Sequence, residues 1–154
     1  MNDQPDTPVE LKARALRHLA RREHTRKELA RKLAPHAESG AALDVLLDAL
    51  AAKQHLSDAR YAEARTRQLS RKYGAAHIAL DLRGKGLSDE TIAAATAAAG
   101  VSELERAVAI LRRKFRAPAA SREEHARRAR FLQSRGFSYE VITSALGLSS
   151  TDTE

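Results

Sequence analysis

Cysteine and tryptophan are absent from this 154-residue chain, methionine occurs once, and phenylalanine and tyrosine three times each. The lack of cysteine excludes a disulfide framework and any thiolate metal or redox site, and it fits a reducing compartment. Aromatic residues make up only 4% of a chain that is 43% hydrophobic, so its cores must be assembled from leucine and alanine. Those residues suit closely packed helices and make poor sheets, which sets the expected fold class as all-α. No apolar run approaches membrane-spanning length, and the stretch from Met1 to Glu10 is polar and acidic, without the charged-then-apolar pattern of a signal peptide. A cytoplasmic protein with no membrane association is expected.

Catalytic patterns are missing as well. Gly84-Lys85-Gly86 lacks the upstream glycine and the following Ser/Thr of a phosphate-binding loop and reads as a helix C-terminus. The six histidines (His18, His24, His36, His55, His77 and His125) nowhere fall at ligand spacing with a carboxylate. No Ser-His-Asp or paired-carboxylate arrangement stands out, and most acids sit in expected first turns, where they complement the helix dipole. The reading is a protein that is not an enzyme and uses neither cofactor nor metal.

What the chain does contain is an internal repeat. Leu82 to Ala95, LRGKGLSDETIAAA, returns as LQSRGFSYEVITSA at Leu132 to Ala145, and six of the fourteen aligned positions are identical: Leu82/Leu132, Gly86/Gly136, Ser88/Ser138, Glu90/Glu140, Ile92/Ile142 and Ala95/Ala145. Chance would give about one identity. The physical content is a helix stopped by glycine, an apolar residue turned inward, a serine N-cap and a second helix opened by acids. A fainter echo occurs three times, twice ahead of a copy, as Ala20 to His24 (ARREH), Leu69 to Tyr73 (LSRKY) and Leu111 to Phe115 (LRRKF). Three echoes predict three units of roughly 45 to 50 residues each, the period of stacked helical repeats.

Capping signals then place the helices. Thr7-Pro8-Val9-Glu10, Thr25-Arg26-Lys27-Glu28 and Ser121-Arg122-Glu123-Glu124 are capping boxes, Ser57, Ser102 and Ser138 are further caps, Pro35 ends the second helix and Gly100 closes the sixth. The residues from Ala117 to Ala120, with Pro118, read as a linker and as the one insertion in the pattern. The expected organisation is three tandem three-helix, helix-turn-helix-like modules over 7–55, 56–100 and 101–148, with a frayed tail over 149–154, forming an elongated array.

Net charge is +7, and it is unevenly spread. Glu10 to Lys32 holds nine Lys/Arg against three Asp/Glu, Glu38 to Glu90 eight against eight, and Glu103 to Glu140 ten against five. A basic excess implies an anionic partner, either nucleic acid or an acidic protein surface. A lone pair of cations is most often a solvated helix face. Recurrence of Arg/Lys before a ring at the same place in three units argues instead for a stripe, comprising Arg21, Arg22, Arg26 and Lys27, then Arg71 and Lys72, then Arg112, Arg113 and Lys114, with Arg127, Arg128, Arg130 and Arg135 in the last unit. Tyr73 and Phe115 are candidates either for stacking on bases or for packing.

In order and spacing these pieces resemble the RecX family of bacterial regulators of the RecA recombinase. The resemblance runs from about Leu16 to Leu146. It rests on Arg22-Glu23-His24-Thr25-Arg26-Lys27-Glu28-Leu29 with Lys32-Leu33, on Leu56-Ser57-Asp58-Ala59-Arg60-Tyr61-Ala62, on Tyr73-Gly74 with Leu82-Arg83 and Lys85-Gly86-Leu87-Ser88, and on Arg130-Phe131-Leu132 with Arg135-Gly136-Phe137-Ser138. It implies a slightly curved array of three modules, without catalytic residues, that lies in the groove of the RecA filament on single-stranded DNA and restrains ATPase, strand exchange and co-protease activity. A monomer, with weak direct DNA binding, belongs to the same expectation. A stand-alone basic DNA-binding protein and a scaffold for another acidic protein are the rival readings.

Overall fold

The structure, a computed structural model, describes residues 3–98 and 102–151. Those residues form nine α-helices, one 3-10 turn and no strand: α1 (Pro8–Arg21), α2 (Arg26–Leu33), α3 (Gly40–Ala52), α4 (Asp58–Leu69), α5 (Ala75–Gly84), α6 (Asp89–Ala98), α7 (Glu103–Lys114), α8 (Arg122–Ser134) and α9 (Tyr139–Thr151), with Pro35 inside the 3-10 turn Ala34–His36. Gly100 and residues 152–154, assigned above to a helix stop and to the tail, lie outside the described residues.

Side-chain caps explain most of the helix starts. At α1 the Thr7 hydroxyl accepts from the Glu10 amide while the Glu10 carboxylate accepts from the Thr7 amide, and Pro8 occupies the first turn, where it has no helical bond to lose. Two other boxes are only half made. Thr25 accepts from the Glu28 amide, but the Glu28 carboxylate turns away to Arg22. Ser121 accepts from the Glu124 amide, whereas the Glu124 side chain takes the Ala120 amide, one residue further out.

The repeated stretch folds as the same motif twice. Gly86 (φ 84) and Gly136 (φ 89) adopt left-handed backbone after α5 and α8; their amides donate to Arg83 and Gln133, and the next amides, Leu87 and Phe137, donate to Leu82 and Leu132. These paired bonds satisfy the carbonyls a helix end leaves free, and they turn Leu87 and Phe137 into the core, where both are buried.

Buried apolar side chains fall into three separate clusters. Leu11, Ala15, Leu29, Leu33, Leu43, Leu47, Leu50 and Leu56 form one, beneath α1 to α3. Ala62, Leu69, Ile78, Leu82, Leu87, Ile92 and Ala95 form the second, and Ala107, Ile110, Leu111, Leu132, Phe137, Ile142 and Ala145 the third. Extensive helix packing stays within each group of three helices, α4 on α6 and α7 on α9 above all. Because no core is shared, surface is left exposed. The chain presents 10132 Å² to solvent, where a compact monomer of its 16.9 kDa would present roughly 7,700 Å².

The same separation predicts a long particle in solution. A globule of this length would have a radius of gyration of about 15 Å. Small-angle scattering of the isolated chain is expected to return a clearly larger value; the globular value would contradict three independent cores.

Candidate protein and nucleic-acid interface

The two junctions between modules are built alike, and they decide where the cations lie. At the first, the Asp58 carboxylate, on the first residue of α4, accepts from the Arg26 amide at the start of α2 (2.8 Å). At the second, Glu103, on the first residue of α7, accepts from the Ala75 amide at the start of α5 (2.8 Å). Each acid therefore satisfies a free N–H at the positive end of the preceding module's second helix. An arginine follows in both: Arg60 donates to Glu23 (2.9 Å), and Arg106 to the Tyr73 carbonyl (3.0 Å).

The glycine turns dock on the same corners. Gly86 faces the Lys27 side chain, and Gly136 faces the His77 backbone so closely that an added Cβ would stand 2.5 Å from the His77 nitrogen. At this second junction the Gly74 amide donates to the Arg135 carbonyl (2.7 Å) and the Ala76 amide to the Gly136 carbonyl (3.2 Å). Backbone is thus bonded directly to backbone across the joint. Arg113 adds a bond from α7 to the Arg71 carbonyl.

That joint brings together part of the predicted stripe. Arg71, Lys72, Arg113 and Lys114 are exposed. The Arg135 guanidinium lies 5.4 Å from the centre of the Tyr73 ring and 5.1 Å from that of Phe131, and Lys114 sits 4.7 Å over Phe131. Among the described residues no carboxylate lies within ion-pair distance of Arg71, Lys72, Arg113, Lys114 or Arg135. An uncompensated positive field of this kind attracts phosphate or acidic side chains.

The rest of the stripe is placed differently. Arg22 is bound to Glu28 through two bonds (2.9 and 2.6 Å) and Arg26 to Asp48 (2.8 Å), so both positive charges are answered within the first module. Arg21, Lys27, Arg112, Arg127 and Arg130 are exposed. Arg128 is only 7% exposed; it donates to the Ala117 carbonyl (2.7 Å) and lies 4.7 Å over Phe115. It departs from the expected edge because its guanidinium straps the linker to α8. Packing also takes both rings. Tyr73 stacks on His77 (3.8 Å between centres, 4° between planes), and Phe115 meets Phe131 edge to face at 5.8 Å.

Sequence reasoning missed the residues that close the joints, Glu23, Asp58, Arg60, Glu103 and Arg106. Asp58 and Glu103 follow a serine cap, a place where dipole complementarity accounts for an acid without a second role. The signal was their identical register in two modules.

A buried polar cluster fixes the first module's corner. His24 is 1% exposed. Its Nδ1 lies 3.0 Å from the Arg22 carbonyl, which only accepts, so that nitrogen carries the proton and Nε2 accepts from the Lys32 ammonium at 3.0 Å. Burial lowers the His24 pKa, and a second ring proton would face Lys32 directly. Glu28 completes the cluster: the Arg22 guanidinium holds its carboxyl down to about 2 from 4.5. Among the described residues no group of three or more His, Asp or Glu is placed to hold a metal ion, and no helix is long and apolar enough to cross a membrane.

Fold and site together define a class, tandem three-helix modules joined by carboxylate-capped corners, with a cationic surface at the second joint. Within that class the chain belongs to the RecX family, since the family models for the first, second and third three-helix domains of RecX match residues 12–46, 57–95 and 102–146. Regulatory protein RecX of Herbaspirillum seropedicae is 45% identical over 141 residues, covering 92% of each chain. The Neisseria gonorrhoeae protein of that name is 43% identical over 136 residues, 88% of each. A crystal structure of RecX from Lactobacillus salivarius, at 22% identity, superimposes with a TM-score of 0.81 over 92% of this chain and 96% of that one.

Two outcomes test these joints. Gly136→Ala puts a Cβ at positive φ and against the His77 backbone, so it is expected to destabilise by about 2 kcal/mol or more. Gly84→Ala, with open space around it at a helix end, is expected to be neutral or stabilising; equal denaturant midpoints for the two would disprove the close approach. Acid titration of thermal stability tests the corner. Both native pKa values are depressed, so the unfolded chain binds more protons and stability falls with falling pH. His24 contributes its loss downward from 6.5, and Glu28 on the order of 2 kcal/mol between 4.5 and about 2. Glu28→Gln is expected to remove the lower of the two declines.

Proposed function

We propose that this chain is a negative regulator of the RecA recombinase that docks as a monomer in the groove of the RecA filament on single-stranded DNA. There it lowers ATPase, strand exchange and co-protease activity, and so acts in DNA repair, recombination and SOS regulation in the cytoplasm. Its modules, taken as 7–55, 56–100 and 101–148, do no chemistry of their own. They follow a helical groove as an array, touching protein walls and a DNA floor, with weak direct contact to the DNA.

Membership of the RecX family supports the reading, and the observation that carries it is the unanswered charge at the second joint. Arg71, Lys72, Arg113 and Lys114 project from a place where backbone bonds between modules hold the surface rigid. Cations held this way lose little freedom on meeting an anionic groove. Arg21, Lys27, Arg112, Arg127, Arg130 and Arg135 extend the same positive surface in this proposal.

The test is RecA ATPase on single-stranded DNA, titrated with wild type and with Arg71→Glu/Lys72→Glu. That pair leaves the second joint intact, because Arg113 binds the Arg71 main-chain carbonyl and not its side chain. With about 1 kcal/mol per phosphate or carboxylate contact, inhibition is expected to weaken at least tenfold while helical circular dichroism is unchanged. Wild-type inhibition is also expected to fall steeply with salt. A folded variant that inhibits like wild type would place the binding surface elsewhere, and unchanged RecA rates at concentrations that saturate DNA alone would favour a stand-alone DNA binder.

A further inference from the structure

The internal repeat allows one groove to be compared with its counterpart. In the second module an ion pair, Arg83 Nε to Asp89 Oδ1 at 3.0 Å, spans α5 and α6. In the repeat alignment Arg83 corresponds to Gln133 and Asp89 to Tyr139, so the third module has lost both charges of that pair. Leu80, 68% exposed on α5, corresponds to Arg130 on α8. Across the three positions the second module carries one cation and one acid and the third a single cation, with an aromatic ring where the acid stands in the second.

Beside these positions lies a groove of about 500 Å³ between α8 and α9. Phe137, Ile142 and Leu146 give it an apolar floor, Arg130 and His125 line the α8 wall, and Tyr139, 82% exposed, stands at its lip. Among the described residues no acid lines it and none pairs with Arg130. Exposed tyrosine beside an apolar floor and an unanswered arginine is the composition of an interface centre rather than of a solvated face.

We propose that the α8–α9 groove is a docking site for an acidic amphipathic segment of a partner protein, seating an apolar side chain on Phe137, Ile142 and Leu146 and its carboxylates at Arg130. Charge complementarity selects the acid, and a recessed apolar floor with a single arginine selects a peptide over nucleic acid. A nucleic-acid strand needs a run of cations at phosphate spacing beside its stacking faces, and Arg130 is the one Lys or Arg that lines the groove among the described residues. The inference goes beyond the RecA reading: it shares only Arg130 with the wider positive surface of that reading and uses none of the four cations at the second joint, Arg71, Lys72, Arg113 and Lys114.

The experiment uses the full chain and a short fluorescein-labelled peptide in which aspartate pairs alternate with leucine and phenylalanine, read by fluorescence anisotropy. Saturable binding is expected, at least about tenfold weaker for a peptide with serine in place of leucine and phenylalanine. The same loss is expected for Arg130→Glu and for Thr143→Glu, both at exposed positions, with circular dichroism confirming the fold. Gln133→Arg/Tyr139→Asp, which restores the second module's ion pair, is expected to abolish binding. Amide shifts should gather on α8 and α9, and Arg71→Glu/Lys72→Glu should bind the peptide normally, which separates this site from the RecA surface. Absence of binding, equal affinity for the serine peptide, or displacement by oligothymidine from the same amides would overturn the proposal, the last in favour of a nucleic-acid groove.

Discussion

A carboxylate on the first residue of one module's leading helix, bonded to the first amide of the previous module's second helix, is the interaction on which the architecture depends. Asp58 makes it to Arg26 and Glu103 to Ala75, both at 2.8 Å. Three-helix units of this size bury their own apolar faces and need nothing from each other to satisfy them, so the order of the array has to come from polar contacts. A charged acceptor on a helix N-terminus is directional and contributes about 2 kcal/mol. Made at the same register twice, it repeats one geometric step and carries the cations of each module to a defined place on the next.

The two steps are nevertheless unequal. At the first joint the added bonds are side chain to side chain, with Arg60 and Glu23 both about two-fifths exposed and Lys27 lying over Gly86. Pairs exposed to that degree contribute little and are screened by salt. At the second, main chain bonds main chain through Gly74, Arg135, Ala76 and Gly136, and Arg106 is buried enough that its Nε has no partner. Modules two and three therefore behave as the stiffer pair. The unanswered cations sit on that stiffer joint, where a binding surface gains most from being held in advance.

Much of the fold is legible in the amino-acid sequence. The glycine-apolar-serine signature around Gly86 and Gly136 predicts a helix stop, an inward turn and a new cap, and each occurs, because those three residues act through local backbone geometry. The basic stripe is legible only as a set of positions. Whether an arginine offers a free charge depends on what folding brings beside it: Glu28 reaches Arg22 instead of closing its own cap, and Arg128 turns under the linker to the Ala117 carbonyl. Helical spacing says nothing of either contact. The joints are the hardest to read, since Asp58 and Glu103 look like ordinary first-turn acids until the amide they accept from is known to belong to another module.

The third module shows how the same corner is finished when no further carboxylate arrives among the described residues. Between α7 and α8 the connection is longer than its counterparts, running through Ala117 to Ala120, and the acceptor comes from inside: Glu124 takes the Ala120 amide, and Arg128 binds the Ala117 carbonyl while covering the Phe115 ring. Phe115 holds the place of His24 and Tyr73 in the echoed pattern, so the ring that elsewhere lies at a corner between modules is here enclosed by its own module's arginine and by Phe131. An insertion that looks like a flexible tether in sequence thus acts as a cap. It closes the apolar corner, consumes one cation of the expected edge, and leaves Arg130, on the opposite side of α8, facing the open groove beside α9.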